Sequence, residues 1–421
     1  MNNVLIVGSG GREHALGWRI GKNRNVKTFF APGNGGTSEN VSIPANDLNT
    51  LAEFASKNNC ITIVGPEEPL SKGIVDLFTD KGLRIFGPSK DAAILETSKV
   101  WTKSLMKKYG IRTADFQTFD DVEKASDYVR RSNGRLVVKA DGLAAGKGVM
   151  VCDSADEALE ALDRIMVSKE FGDAGKHVVV EERLDGEEAS FIVMTDGKTI
   201  IPMASSQDHK RIYDDDMGPN TGGMGAYSPT PLIDEELHDR IMRDVMQKTV
   251  DGMRSEGRAF KGFLYAGLMV HDDAANVLEF NVRMGDPECQ PIMMRMESDL
   301  YEYIEYCIDG KLNELEPVRW SPRSAVCVVM ASKGYPGSYE KGKVISGLDR
   351  IKTNTVSVFH AGTSRRNGNI ITNGGRVLGV TALGDGIENA IKNAYNAVSM
   401  ITWDGAYYRK DIGRKALKYK A

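Results

Sequence analysis

Residues 4–88 repeat one pattern, and it leaves few folds open. Each short apolar run ends in a glycine or proline turn. Residues 4–7 run into Gly8-Ser9-Gly10-Gly11, and 26–30 into Ala31-Pro32-Gly33-Asn34-Gly35-Gly36-Thr37. Residues 61–64 run into Gly65-Pro66-Glu67, and 83–86 into Gly87-Pro88. Continuous apolar runs of this length read as strands buried on both faces. The intervening segments around 47–57 and 73–81 read as helices. Such alternation gives an open parallel sheet, with ligands at the carboxyl ends of its strands. Glycine turns at that edge bring backbone N–H groups close to an anion; taken singly, each is equally a plain turn. A nicotinamide site is disfavoured. Glu13 stands where the third glycine of GxGxxG belongs, and Ala31-Pro32 leaves no ribose-binding acid after the second strand.

With 421 residues the chain is too long for one core, so about two to four domains are expected. A formal charge of −4 argues against bulk nucleic-acid binding. Cys60, Cys152, Cys289, Cys307 and Cys327 form no CxxC pair, which argues against structural zinc and asks for no disulfide framework. The first residues enter a strand without a basic leader, and no apolar run approaches a membrane span. A cytoplasmic protein is expected.

A helix carrying Lys99, Trp101, Lys103 and Leu105 precedes a second pattern. Strands at 136–139 and 149–152 flank Ala140-Asp141-Gly142-Leu143-Ala144-Ala145-Gly146-Lys147-Gly148. Glycines permit close approach and lysines supply charge, so this loop can fold over nucleotide phosphates. It is not a Walker A loop, since the spacing is wrong and no Ser or Thr follows Lys147. A ligand-free hairpin is the competing reading. The strand at 177–180 then enters an acidic hinge, Glu181 to Glu187, and 188–194 returns as a strand. Such a hinge can face an adenine edge and a ribose, or can be a solvated strand end. Residues 206–227 read as one long irregular, glycine-rich stretch, of the kind that is usually functional or disordered. A helix is expected over about 235–254 and a strand over 263–270.

The strand at 277–282 carries the sharpest signal. Period two puts Glu279, Asn281 and Arg283 on one face and Leu278, Phe280 and Val282 on the other. A carboxylate and a carboxamide two residues apart offer hard oxygens to Mg²⁺, completed by water and substrate phosphates. Arg283 can hold a phosphoryl or carboxylate group by a charge-assisted fork. The competing reading is a half-buried strand with solvated polar residues. Beyond Pro317 and Pro322, strands near 325–330, 356–360 and 376–381 and a helix at 387–400 read as a small α+β domain. Its glycine turns carry no assignable catalytic residue.

Several of these motifs together resemble a family. They run from Gly8-Ser9-Gly10-Gly11-Arg12-Glu13-His14 through Gly33-Asn34-Gly35-Gly36 and the Lys139 to Gly148 loop. They continue through Gln207-Asp208-His209-Lys210-Arg211, Gly218 to Tyr227 and Glu279-Phe280-Asn281 with Arg283 to Glu288, and end near Arg376 and Arg409. The chain is similar throughout to the phosphoribosylamine–glycine ligases (glycinamide ribonucleotide synthetases) of the ATP-grasp superfamily. Met284, where that family usually carries Phe or Leu, is a comparable apolar filler.

The resemblance implies α/β and α+β architecture in three parts. These are an N-terminal open parallel αβα domain (1–102), an ATP-grasp core (103–324) with a mobile lid at about 120–186, and a small C-terminal domain (325–421). It implies ATP-dependent ligation of glycine to 5-phosphoribosylamine through a glycyl phosphate, giving glycinamide ribonucleotide, ADP and phosphate. Glu279 and Asn281 are then the ligands of Mg²⁺, or of Mn²⁺ in its place. Lys103, Lys139, Gly146, Lys147 and Gly148 face the ATP phosphates; Glu181, Leu184 and Glu187 face adenine and ribose. Arg283, Lys147 and Asp286 act at the reacting centre. Gly10, Gly11, Asn34, Gly35 and Glu67 hold phosphoribosylamine, and Asp208 and Lys210 serve the glycine and amine side. The implied partners are small molecules only, with no nucleic acid and no membrane, and the implied state is a monomer. Another ATP-grasp carboxylate–amine ligase is the alternative. A non-catalytic nucleotide-binding regulator would lack the metal pair.

Overall fold

The computed structural model describes residues 1–132, 134–144 and 148–419. The N-terminal sheet is parallel, in the order Val26–Pro32, Asn2–Gly8, Cys60–Val64, Ile85–Phe86. Val4, Leu5, Ile6 and Val7 in its centre are wholly buried, as an unbroken apolar run between two helical layers requires. Its last strand is shorter than the expected 83–86. Leu83 N still donates to Phe78 O at 2.8 Å, closing the preceding helix, so pairing begins only at Ile85.

The segment expected to form a lid holds a separate antiparallel sheet, ordered Phe116–Phe119, Val178–Glu182, Leu136–Ala140, Val149–Cys152. Two helices, Val122–Arg131 and Ala155–Leu162, are started by Asp121 and Ser154, whose side chains accept N-terminal amides. They close a small core of their own, with Val129, Leu162, Val138 and Val180 at its centre.

A third sheet runs Ile200–Pro202, Glu187–Thr195, Gly262–His271, Ala274–Asn281, all antiparallel. Its last hairpin turns on Asp272 and Asp273, both left-handed at φ 45° and 57°. The strand bearing Glu279 departs from strict alternation. Glu279 pairs with Gly267 and Val277 with Leu268, so Leu278 is a bulge. Val277 therefore takes the buried place expected for Leu278, because the extra residue resets the pleat. The helix expected over 235–254 is present as one continuous run, Glu235–Ile241 and Lys248–Ser255 joined through a wider π-helical segment, Met242–Gln247.

The C-terminal sheet runs Gln207–Asp208, Gly225–Ser228, Ser324–Ser332, Arg376–Gly384, Val356–His360, with Ala406–Tyr407 beside Ser324–Ser332. Helix Ile387–Val398 packs on it. The stretch 206–227 is thus not irregular throughout. It carries short strands, two of which join a sheet completed about a hundred residues later in the chain. At two to four residues each they are too short to show alternation. All five cysteines are buried and free. Among the described residues, no helix is long and apolar enough to cross a membrane.

Candidate active site

The edge strand Ala274–Asn281 presents Glu279 toward a ring of cations. Burial alone would raise the Glu279 carboxyl, but Lys210, Lys139, Lys99 and Arg283 outweigh it and hold the group below the usual carboxylate range. A carboxylate kept ionised in a strongly positive pocket suits a site built for further anions. The side chains of Glu279 and Asn281 take no hydrogen bond from any described residue. Among the described residues, no three acids, histidines or cysteines form a closed metal cage. Two unclaimed hard oxygens without a cage fit a cation whose remaining ligands are phosphate oxygens and water.

Behind this strand lies a buried triad. Lys103 Nζ is 3.0 Å from Glu181 Oε1 and Lys139 Nζ is 2.9 Å from Glu181 Oε2, with all three side chains nearly inaccessible. Lys103 comes from helix Lys99–Tyr109, Lys139 and Glu181 from neighbouring lid strands. Lys139 also donates to Leu278 O at 3.0 Å, so the bulge hands its carbonyl to the lid. Lys103 donates to Thr113 Oγ1, which donates to Val277 O at 2.6 Å. Burial lowers the Lys103 ammonium to about 8 despite Glu181. The helix start is tied to the glycine loop. Asp141 Oδ1 accepts from Val100 N at 3.1 Å, and Lys99 Nζ donates to Gly142 O at 2.9 Å. Gly148 closes the loop base, its carbonyl accepting from Ala140 N at 2.9 Å. Gly146 and Lys147 lie outside the described residues. In the hinge, Leu184 and Glu187 are half-buried, and Glu187 lies 3.7 Å from Lys418.

Toward the C-terminal sheet, Lys210 Nζ meets Glu188 Oε2 at 2.6 Å. Burial pulls this ammonium down, but Glu188, Asp208, Tyr265 and Glu279 lift it well above its ordinary value. Asp208 is buried beside it and is pushed up by desolvation, with Lys210 opposing and Glu288 and Glu188 adding to the rise. Ser190 Oγ bridges Glu288 Oε1 at 2.9 Å and the Tyr265 hydroxyl at 3.0 Å.

Arg283 joins the core to the N-terminal domain, with Nη2 2.9 Å from Glu96 and Nε 3.3 Å from Glu67. Burial opposes its charge, while Glu96 and Glu67 raise its pKa further. Asp286 is held low against its burial by Arg376 and Arg12. Its Oδ2 lies 3.2 Å from Arg376, and its Oδ1 accepts from Gln290 at 2.7 Å. Gly10 and Gly11 turn beneath it, and a Cβ at Gly10 would stand 3.3 Å from its carboxylate. The Gly10 N–H is already taken, donating to Glu13 Oε2 at 2.5 Å. Glu13 thus takes up an amide that a phosphate at this turn would need.

The Gly33–Thr37 turn differs from the expected anion cradle. Asn34 Oδ1 accepts from Gly36 N and Thr37 N at 2.9 and 3.2 Å, and Asn34 N donates to Thr37 Oγ1. Gly35 N donates to Thr363 O at 3.2 Å, and Gly33 N to Gly8 O. Every amide of the turn is paired within the protein, and its left-handed residue is Gly33 at φ 72° rather than Gly35. Gly35 is small because Thr363 of the C-terminal domain packs on it, 2.9 Å from where a Cβ would stand.

The structure therefore gathers Glu279, Asn281, Lys139, Lys210 and Arg283 in one field, with Lys103 and Glu181 behind it. Asp286, Gly10 and Gly11 adjoin the Arg283 side, while Asn34 and Gly35 form a domain contact. Sequence reasoning missed Lys99, Glu96, Glu188, Glu288, Tyr265 and Arg376. Glu188 and Tyr265 had a usable signal, as polar residues on strands of the same sheet as Glu279. Arg376 stood at the end of a matching motif but had no assigned role, since it reaches Asp286 from the C-terminal sheet.

Comparison with known proteins bears directly on this arrangement. The phosphoribosylglycinamide synthetase N domain matches residues 2–96, the ATP-grasp (A) domain 97–289 and the C domain 325–415. A phosphoribosylamine–glycine ligase of Vibrio vulnificus (strain YJ016) is 53% identical, covering 99% of this chain and 98% of its own. The crystal structure of a phosphoribosylamine–glycine ligase from Thermotoga maritima superposes with a TM-score of 0.85 at 35% identity, over 97% of this chain and 99% of that one. A biotin carboxylase from Campylobacter jejuni, at 14% identity and TM-score 0.73 over 98% of this chain and 94% of its own, shares the fold. With three matched domains in order and a relative identical at half of all positions, the chain belongs to the phosphoribosylglycinamide synthetase (phosphoribosylamine–glycine ligase) family.

Proposed function

We propose that the chain joins glycine to 5-phosphoribosylamine at the expense of ATP, through glycyl phosphate. A glycine carboxylate oxygen attacks the γ-phosphorus and ADP leaves. The amine of phosphoribosylamine then attacks the acyl carbon, the bond from that carbon to the phosphate oxygen breaks, inorganic phosphate leaves with the bonding pair, and the attacking nitrogen gives up one proton. The observation that carries this reading is the ionised Glu279 set among Lys99, Lys139, Lys210 and Arg283. Phosphoryl transfer asks for charge neutralisation and positioning more than for an acid–base pair.

Lys139 and Lys103, pinned by Glu181, place fixed positive charge beside the triphosphate, and the hinge with Leu184 and Glu187 faces the base and ribose. Gly146, Lys147 and Gly148 belong to the loop over the phosphates. Mg²⁺, or Mn²⁺, held by Glu279 and Asn281 would neutralise phosphate charge. Arg283 orients the transferred group, and Asp208 with Lys210 orients glycine. Phosphoribosylamine lies against Gly10, Gly11, Glu67 and Asp286, with the Asn34 and Gly35 turn as its wall. The enzyme acts as a cytoplasmic monomer. The test is ADP release measured with glycine and freshly generated phosphoribosylamine, each omitted in turn. Full turnover without phosphoribosylamine, or with another amine replacing it equally, refutes the assignment in favour of another carboxylate–amine ligase.

A further inference from the structure

A cleft of about 580 Å³ lies on the far edge of the central sheet, between strand Ile200–Pro202 and the segment 312–320. The size falls within the range of small-molecule pockets. Three strand spacings, roughly 14 Å, separate this edge from the strand carrying Glu279. The walls are mostly apolar, with Ile201, Met203, Leu315, Val318 and Trp320 among them.

One wall residue is out of keeping with the rest. Arg295 is only 7% exposed. Its Nε donates to Arg323 O at 2.9 Å, Nη1 to Ser228 Oγ at 2.8 Å and Nη2 to Ser321 O at 3.2 Å. A guanidinium has five N–H donors, so two remain without a partner among the described residues. No carboxylate pairs with it among the described residues, and desolvation lowers its pKa to about 10 with nothing opposing. Among the described residues every other buried lysine or arginine, Arg12, Lys103, Lys139 and Arg409, has an acid within 3.0 Å. The other ionisable wall residues are Glu316, exposed at the mouth, and His238, whose Nδ1 lies 3.3 Å from Asp239. Leaving a buried charge uncompensated is strongly unfavourable, and an anion that fits the cleft relieves it.

We infer that this cleft is a second ligand site, for a small organic carboxylate with a flat apolar body, its carboxylate on Arg295 and its body on Trp320 and Leu315. Arg295 ends the helix Cys289–Arg295, which follows Glu288 and whose Gln290 holds Asp286. The site thus lies one short helix away from the ligase centre.

The test is isothermal titration of the full chain with naphthoate and with its neutral isostere naphthamide. Naphthoate gives saturable single-site binding, at least tenfold tighter than naphthamide. Arg295→Gln brings the two affinities together, and Leu315→Trp, which fills the cleft and leaves the arginine, removes both. Equal affinities for acid and amide in the unaltered chain overturn the proposal. So does naphthoate binding that survives Leu315→Trp, since the acid would then be sitting among the lysines of the ligase centre. If Arg295→Gln does not fold, the acid–amide comparison and Leu315→Trp decide the matter alone.

Discussion

The Lys103–Glu181–Lys139 triad holds two ammonium groups around one carboxylate, so its net charge is positive even when intact. Removing the acid and removing one base are therefore not equivalent. Glu181→Gln leaves two buried ammoniums facing each other across a neutral amide. Losing one partner of a buried pair costs about 3–5 kcal/mol, and here both lysines lose the only acid in contact with them among the described residues. Lys103→Met leaves Lys139 and Glu181 as a matched pair and forfeits only the hydrogen bond to Thr113, so it costs less than Glu181→Gln. Urea unfolding followed by circular dichroism measures both. The pH dependence adds a second check. Lys103 holds its proton with a pKa of about 8 in the fold against 10.5 as a free side chain. Without Glu181 that folded value falls further, so the variant sheds the proton first. The stability gap between the unaltered chain and Glu181→Gln narrows as pH rises toward 8. Equal destabilisation by the two substitutions, or a gap that widens with pH, would refute the reasoning.

Other substitutions probe the remaining contacts. Glu279→Gln and Asn281→Ala each lower turnover on the order of a hundredfold with little change in the melting temperature; steady-state rates at limiting Mg²⁺ that stay near normal remove them from the metal site. Gly35→Val collides with Thr363 and Ser364 and separates the N- and C-terminal domains, so thermal stability falls by about 1–3 kcal/mol; an unchanged melting curve contradicts the packing. Burial lowers His14 to about 4 and His360 to about 3, from 6.5. The unfolded chain takes up these protons first, so their contribution is full above pH 6.5 and is lost as pH falls toward 4 and then 3. His360→Asn should therefore lessen the drop in urea midpoint between pH 7 and pH 5, and an unaltered drop would place the acid sensitivity elsewhere.

The N-terminal sheet and the lid hairpin were legible because each strand announces itself locally, as at Val4 to Val7 or Val149 to Cys152. The pair Glu279 and Asn281 was legible for the same reason. What the chain concealed depends on pairing between distant residues. A one-residue bulge at Leu278 is set by its partner strand and leaves no mark on composition. Gly33 to Thr37 has the same letters whether its amides are open to an anion or closed by Asn34 and Thr363. Arg376 reads as an ordinary strand residue until the fold carries it to Asp286.

The strand Gly225–Ser228 pairs with Ser324–Ser332, and that has a temporal consequence on the ribosome. Nearly a hundred residues must be added after Ser228 before its partner exists. At elongation speeds of about 5–20 residues per second the wait is roughly 5–20 seconds. Throughout it, Met224 and Tyr227, wholly buried in the finished enzyme, have only the two-residue strand Gln207–Asp208 to pair beside. The N-terminal domain can be complete by then, so the nascent enzyme carries a folded head and an apolar middle whose main sheet partner is still missing. That interval, rather than any weakness of the mature structure, is where this chain is most exposed to misassembly and most in need of a chaperone.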